Sequence, residues 1–190
     1  MAQIGNTTVL PSMTLGTPLA QASGGTGGNY PVYRMLLSTP QTTNGAAFYD
    51  FLDVPSWCKR VTVMLNGVST NGTSNKLIQI GDLGGIKNTG YLSSSAYIVN
   101  SSSNVLYTTG FGIQTFQAIS TISGLMSLLT INTNVWVESH GISNYVDNHS
   151  VVGGGDKTLS GTLDRLRLTT VNGTDLFDGG TINCMYEGYL

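Results

Sequence analysis

Two stretches between Lys157 and Glu187 constrain the fold most strongly, because apolar and polar side chains alternate in them. From Leu163 to Val171, leucine occupies positions 166 and 168, while arginine or threonine occupies the odd positions 165, 167 and 169. From Thr181 to Glu187, isoleucine, cysteine and tyrosine alternate with mostly polar residues. Successive side chains of a strand point to opposite faces, so both stretches are predicted to be half-buried strands facing one core. The pattern implies no catalytic group.

The composition disfavours helices. Charged residues make up 9% of the 190-residue chain, there are 25 glycines, and the only glutamates are Glu138 and Glu187. Strong helix formers are therefore scarce, whereas valine, isoleucine, threonine and tyrosine favour strands. We predict an all-β protein: an antiparallel, jelly-roll-like β-sandwich of about eight strands with an extended N-terminal arm.

The texture of the sequence changes near residue 45. Residues 1–45 are rich in Gly, Thr, Ser, Pro and Gln and show no sustained period, which is typical of an arm or linker. Residues 46–190 carry the strand patterns. We expect the arm to lie against another subunit or a larger assembly, because its apolar residues are too few to build a core.

Several further segments are predicted to be strands, and two to be loops. The hairpin joined at Asn132-Thr133-Asn134 has the clearest pattern. Residues 81–104 are predicted to be a loop with one irregular strand, and residues 143–156, with three consecutive glycines, a loop. The strand candidates are Phe48–Leu52, Arg60–Asn66, Lys76–Ile80, Val105–Thr109, Gly112–Ile119, Leu125–Asn132 and Asn134–His140.

The charge and hydropathy patterns bear on the partners. The formal net charge is −2 and the eight Lys and Arg residues are scattered, so no basic patch for a nucleic-acid backbone is expected. No apolar run reaches the ~18 residues of a membrane span, and no secretory signal pattern begins the chain. We therefore expect the chain to start soluble in the compartment where it is made, without membrane insertion.

The motif search assigns no catalytic, cofactor-binding or metal-binding residue. The patterns G-x-S-x-G, H-E-x-x-H and C-x-x-C are absent. The glycine-rich run at residues 24–28 is interpreted as a hinge rather than a phosphate loop. His140 and His149, with Asp147 between them, have weak metal spacing and are interpreted as surface or hydrogen-bonded histidines. A carbohydrate-active enzyme with two carboxylates stays open, since ten acidic residues always allow some pair at a suitable distance.

Two groups of residues are interpreted as structural: the two cysteines and the charged residues near the last two strands. Cys184 falls on the apolar side of its strand and is predicted to be a small core residue, with a bridge to Cys58 as the alternative. Opposite charges near the last two strands are interpreted as cross-strand pairs. These charged residues are Asp164, Arg165, Arg167 and Glu187.

Four tyrosines in loop-rich stretches are the candidate contacts to a receptor or a neighbouring protein. An amphipathic ring can stack on a sugar or pack in an interface, and core packing is the alternative for each ring. These residues are Tyr91, Tyr97, Tyr107 and Tyr145.

The chain resembles proteins of tailed bacteriophages. Its arm contains PLAQASGGTG at residues 18–27, which is similar to a linker that recurs in tail-fibre proteins. Residues 48–187 resemble a phage virion β-domain, through VPSWCKRVTV at 54–63, QIGD at 79–82, SGTLDRLR at 160–167 and GTIN at 180–183.

The resemblance implies a homotrimeric virion protein without enzymatic activity, made in the host cytoplasm. It would be a tail-fibre or receptor-binding module that contacts a host glycan or protein through loops and other virion proteins through its arm. A capsid decoration protein bound to the head lattice is the alternative.

Overall fold

The chain forms an antiparallel β-sandwich. A computed structural model describes residues 31–98, 103–115 and 117–189, which contain strands and no helix. The predicted all-β sandwich is confirmed, and the described residues form fourteen strands, more than the eight or so expected. The strands are β1 Tyr33–Leu37, β2 Gln41–Thr42, β3 Tyr49–Phe51, β4 Cys58–Thr70, β5 Lys76–Asp82, β6 Gly85–Ile86, β7 Tyr91–Ile98, β8 Ser103–Tyr107, β9 Phe111–Ile113, β10 Ile122–Thr130, β11 Val135–Asn144, β12 His149–Thr158, β13 Arg165–Thr170 and β14 Phe177–Tyr189.

The strands divide into two sheets of unequal width. The nine-stranded sheet has the order β1-β14-β4-β10-β11-β12-β7-β8, and β2 also pairs with β14. The five-stranded sheet has the order β3-β13-β5-β6, and β9 also pairs with β5. The inner faces of both sheets bury one hydrophobic core, which includes Val63, Ile78, Phe111, Leu128 and Trp136.

The two alternating stretches face this core from opposite sheets. Leu166 and Leu168 of β13 are buried from the smaller sheet, and Ile182 and Cys184 of β14 are buried from the larger one. The predicted alternation is confirmed. The two strands do not pair with each other, because the turn-rich segment between them carries the chain from one sheet to the other.

The charged residues near these strands consequently find other partners. Arg167 forms a two-pronged ion pair with Asp50 of β3, with both nitrogen–oxygen distances at 2.7 Å. Arg165 pairs with its neighbour Asp164, and Glu187 pairs with Arg60 of β4. These contacts replace the expected pairing between the last two strands.

Two predicted loops contain regular strands. Residues 81–104 include β7, and residues 143–156 include most of β12, whose glycines at 153–155 pair with strands on both sides. The predicted hairpin at 132–134 is confirmed by the β10–β11 pairing. Glycine in the middle of a strand usually marks a close approach of neighbouring atoms, and Gly153 fits that rule because an added Cβ would lie 2.3 Å from His140 Cε1.

The compact unit begins earlier than the predicted boundary at residue 46. It spans Tyr33–Tyr189, and β1 and β2 both pair with β14. Residues 33–42 therefore extend the large sheet. Residues 1–30, with the PLAQASGGTG motif and the glycine-rich run, lie outside the described residues.

Candidate functional site

The outer face of the nine-stranded sheet is the most unusual surface of the described residues. Cα partners in an antiparallel pair point their side chains to the same face, so the register defines rows across the sheet. The two end residues of one row, Leu37 and Leu106, are apolar, and the residues at its centre are small. This row runs Leu37, Met185, Thr62, Ser127, Ser139, Gly154, Ser94, Leu106.

Large apolar side chains on this face lie open to solvent. Leu106 is 77% exposed and Leu92 is 69% exposed. An antiparallel sheet with one face in water normally carries polar residues there, and a broad exposed apolar patch marks an association surface. The exposed apolar residues of this face are Met35, Leu37, Leu92, Ile98, Leu106, Leu125, Leu129 and Val152.

Few charges interrupt this surface. Arg60 and Glu187 lie in one register row and form an ion pair at 3.5 Å. Asp156 lies in the same row between Val137 and Leu92. A face with so few charges can be buried against protein at a low desolvation cost.

The two edges of this face differ in shape. At the β7–β8 edge, Leu92, Ser94, Leu106 and Gly154 contribute to a pocket of about 390 Å³. At the β1–β14 edge, the side chains protrude: every residue of β1 is exposed.

The protruding edge is ordered by an aromatic pair. The rings of Tyr33 and Tyr189 meet edge to face, with centroids 5.4 Å apart, and the Tyr33 hydroxyl donates a hydrogen bond to Glu187. That hydrogen bond raises the pKa of Tyr33. One edge of the large sheet thus carries exposed apolar side chains, and the other edge carries an apolar-lined pocket.

The structure separates the four candidate tyrosines into two groups. Tyr91 and Tyr107 are buried, at 0% and 5% exposure, so their rings offer no surface to a receptor in this conformation. Tyr97 is half-buried against the His149 ring, with centroids 5.4 Å apart. Tyr145, at 87% exposure, lies in the turn between β11 and β12.

The exposed tyrosine lies beside a small polar pocket. This pocket of about 260 Å³ is lined by Tyr145, Asn144, His149, Ser150 and other residues at the same end of the sandwich. Asn144 Nδ2 donates to Asp147 Oδ2 at 2.6 Å, which fixes the turn. Among the four candidates, Tyr145 is thus the ring most accessible to a partner.

A buried polar chain links three strands inside the sandwich. His140 Nδ1 lies 2.8 Å from Glu138 Oε1, and both side chains are fully buried. The other ring nitrogen of His140 lies 3.4 Å from Ser95 Oγ across Gly153. His140 is therefore a hydrogen-bonded interior residue, in line with one of the two interpretations made from the sequence.

The contacts Ser95–His140–Glu138 follow the order of a Ser–His–acid catalytic triad. Ser95, His140 and Glu138 are only 1%, 7% and 5% exposed, so a substrate cannot reach Ser95 Oγ unless the sheets separate. Ser95 Oγ also accepts a hydrogen bond from the Gln114 backbone amide. In this conformation these three side chains are inaccessible to a substrate. The hydrogen bond from Gln114, which follows β9 of the smaller sheet, links them to that sheet.

A pocket beside the β5–β6 turn has its charged groups already engaged. It measures about 620 Å³ and lies between the β5–β6 turn and the segment before β13. Asp82 accepts hydrogen bonds from Lys87 at 2.7 Å, from Ser160 at 2.6 Å and from the Gly84 amide at 2.9 Å. The hydrogen bonds from Lys87 and Ser160 hold the pKa of Asp82 well below its usual range. The carboxylate thus serves the local structure.

One buried cation has no partner. Lys76 is fully buried, and its Nζ forms no hydrogen bond among the described residues. Burial lowers its pKa to about 8, against the opposing effect of Asp178, Asp175 and Asp147. The sequence predicted Lys76 as the start of a strand and gave no sign of this environment.

Within the described residues, no group of three or more His, Cys, Asp or Glu side chains could hold a metal ion. The same part of the chain has no helix long and apolar enough to cross a membrane. Cys58 and Cys184 are both buried and free rather than bridged.

The apolar outer face does not follow from the predicted alternation, because alternation gives each strand only one buried side. From Leu125 to Leu129, apolar residues occur on both parities, which indicates a strand that is covered on both faces. The run YRMLL at residues 33–37 lies in the segment that the composition predicts to be an arm, and it forms β1. Both signals are present in the sequence.

Comparison with known proteins gave no match among family models, curated proteins or solved structures.

Proposed function

We propose that this protein is a structural subunit of a tailed-bacteriophage virion, a tail-fibre or receptor-binding module that forms a homotrimer. The observation that carries the proposal is the exposed apolar outer face of the nine-stranded sheet. A broad exposed apolar face marks an association surface, and further copies of the same chain are the most direct cover. The phage-like motifs of the sequence support the virion assignment.

Host attachment would come from loops. The turn that holds Tyr145 combines an exposed aromatic ring with asparagine, serine and histidine side chains at a shallow pocket. Rings and small polar groups of this kind adapt to glycan or protein surfaces. Residues 1–30 would then anchor the subunit to other virion proteins.

Oligomeric state is the first test. Sedimentation equilibrium at micromolar concentration should give three times the 20.0 kDa mass of one chain. A monomer under these conditions would remove the proposal, because the apolar face would then stand uncovered in solution.

Location in the particle is the second test. Labelled antibody against this chain should bind the tail in electron micrographs of whole virions. Binding to the head would instead support the capsid decoration alternative, in which the same apolar face lies on the head lattice.

Host contact is tested by adsorption. A Tyr145→Ala particle should adsorb to host cells several-fold more slowly while the subunit keeps its trimeric mass. Leu83→Ala is the matched control, since Leu83 is equally exposed, at 86%, in the β5–β6 turn. Equal adsorption by the two variants would count against the Tyr145 turn.

Release of sugar from host polysaccharide by the purified trimer would instead identify a carbohydrate-active enzyme.

A further inference from the structure

We propose that the trimer closes through one specific contact, in which the β1–β14 edge of one copy sits in the β7–β8 pocket of the next copy. The inference rests on the proposed homotrimer and names the surfaces that form it. A cyclic trimer needs a heterologous contact, in which two different patches of the same chain meet. The outer face of the large sheet carries such a pair of patches at its two edges.

The shapes of the two patches are complementary. Leu37 and Met35 protrude from the edge strand β1, at 58% and 60% exposure. The pocket at the opposite edge has a volume of about 390 Å³ and includes Leu92 and Leu106 in its lining. Leucine and methionine side chains are of a size to enter such a pocket, and their burial supplies the driving force.

The register places the patches at corresponding levels. Leu37 and Leu106 stand at opposite ends of one row across the sheet. Met35 and Leu92 stand at opposite ends of the next row. When the edge of one copy meets the pocket of another, both apolar pairs can therefore engage at once.

The charges beside the two patches differ. Asp156 is a half-buried carboxylate that is the register partner of Leu92, and it has no ion-pair partner among the described residues. Arg34 of β1 is exposed, but it alternates with Met35 along the strand and so points to the opposite face of the sheet. The contact therefore rests on the apolar residues of the two patches. Both halves of the contact lie on this one chain, which favours a second copy over an unrelated partner.

The test uses two variants of equal charge. Leu37→Glu damages only the protruding edge, and Leu106→Glu damages only the pocket. Both positions are exposed, so each variant should fold, as checked by circular dichroism. Leu83→Glu is the control, because Leu83 is exposed on the smaller sheet.

Each variant alone should sediment as a monomer, and the control should stay trimeric. An equimolar mixture of the two variants should give a dimer, since one intact pocket then meets one intact edge. If either variant aggregates, Met35→Glu and Leu92→Glu provide the same test one row away.

This contact would be overturned if the mixture stayed monomeric or if the single variants stayed trimeric. The proposed function would survive either result as long as the wild type is a trimer. A monomeric wild type would remove both.

Discussion

Glu138 Oε1 and His140 Nδ1 share a hydrogen bond of 2.8 Å in the interior, where neither side chain is exposed. The second carboxylate oxygen of Glu138 has no partner among the described residues. Alternation along β11 turns both residues inward, and the glycines of β12 leave space for them. Two of the chain's few ionisable residues thus lie in its core.

The Glu138–His140 pair should be strongly coupled. We expect Glu138→Ala to lower the free energy of unfolding by about 3 kcal/mol, because it leaves the buried imidazole without its partner. Urea titration of the single variants and of the double variant with His140→Ala measures the coupling energy. Strict additivity of the two losses would show that the pair does not act as a unit.

Gly153 should resist substitution. An alanine Cβ there would lie 2.3 Å from His140 Cε1 and 2.6 Å from the Ser94 carbonyl oxygen. We expect Gly153→Ala to cost about 1–3 kcal/mol through overpacking. Gly141→Ala in the neighbouring strand is the control, since its Cβ would meet nothing within 4 Å. Similar midpoints in urea for both variants would contradict the close packing.

Tyr91 and Tyr107, the two buried tyrosines among the four candidates, should respond differently to loss of the hydroxyl group. Tyr91 Oη accepts a hydrogen bond from the Ile80 amide at 2.7 Å and donates to the Lys87 carbonyl at 3.0 Å, which ties the large sheet to residues of the smaller sheet and its edge loop. We expect Tyr91→Phe to cost about 1–3 kcal/mol, because the buried amide loses its partner. The Tyr107 hydroxyl has no partner among the described residues, so Tyr107→Phe should be neutral or stabilising. Thermal unfolding of both variants, compared at matched concentration, should rank them in this order.

Lys76 should make stability depend on pH. Its pKa is about 8 in the folded state, against 10.5 without burial, so the unfolded chain binds more protons between these values and stability rises with pH. Lys76→Met should stabilise the protein by up to about 3 kcal/mol below pH 8, and this difference should vanish near pH 10.5. Buried cysteines and tyrosines titrate in both proteins, so their contributions cancel in the comparison.

The measurement is urea unfolding of both proteins at pH 7 and pH 10. Lys59→Met, at an exposed position of β4, controls for loss of a surface charge. A Lys76→Met difference that is the same at both pH values would contradict the burial of a charged ammonium group.

Local pattern predicted individual strands better than it predicted their partners. The alternation in β13 and β14 indicates which side chains are buried, and these burials are confirmed. The same alternation does not indicate whether the two strands share a sheet, because a strand shows the same period whether its partner lies beside it or across the core. Arg167 pairs with Asp50 rather than with the last strand because β13 lies beside β3 in the smaller sheet.

The glycines at 153–155 were predicted to be a loop because the contacts that require glycine there come from distant residues. Gly153 to Gly155 resemble a loop in isolation, but they pair as part of β12. His140 and Ser93 occupy the space that a Cβ would need at Gly153 and Gly155, which explains glycine at these two positions. The tyrosines show the same limit. Nothing adjacent in sequence distinguishes buried Tyr91 from exposed Tyr145.

Side-chain alternation and strand propensity act within a few residues, so the amino-acid pattern is enough to indicate an antiparallel β-sandwich with few charges. The three-dimensional arrangement of the strands establishes which faces remain uncovered, that Lys76, Glu138 and His140 lie inside, and that the two edges of the large sheet differ. These properties depend on strand order and register, which join residues far apart in the chain and have no local signature.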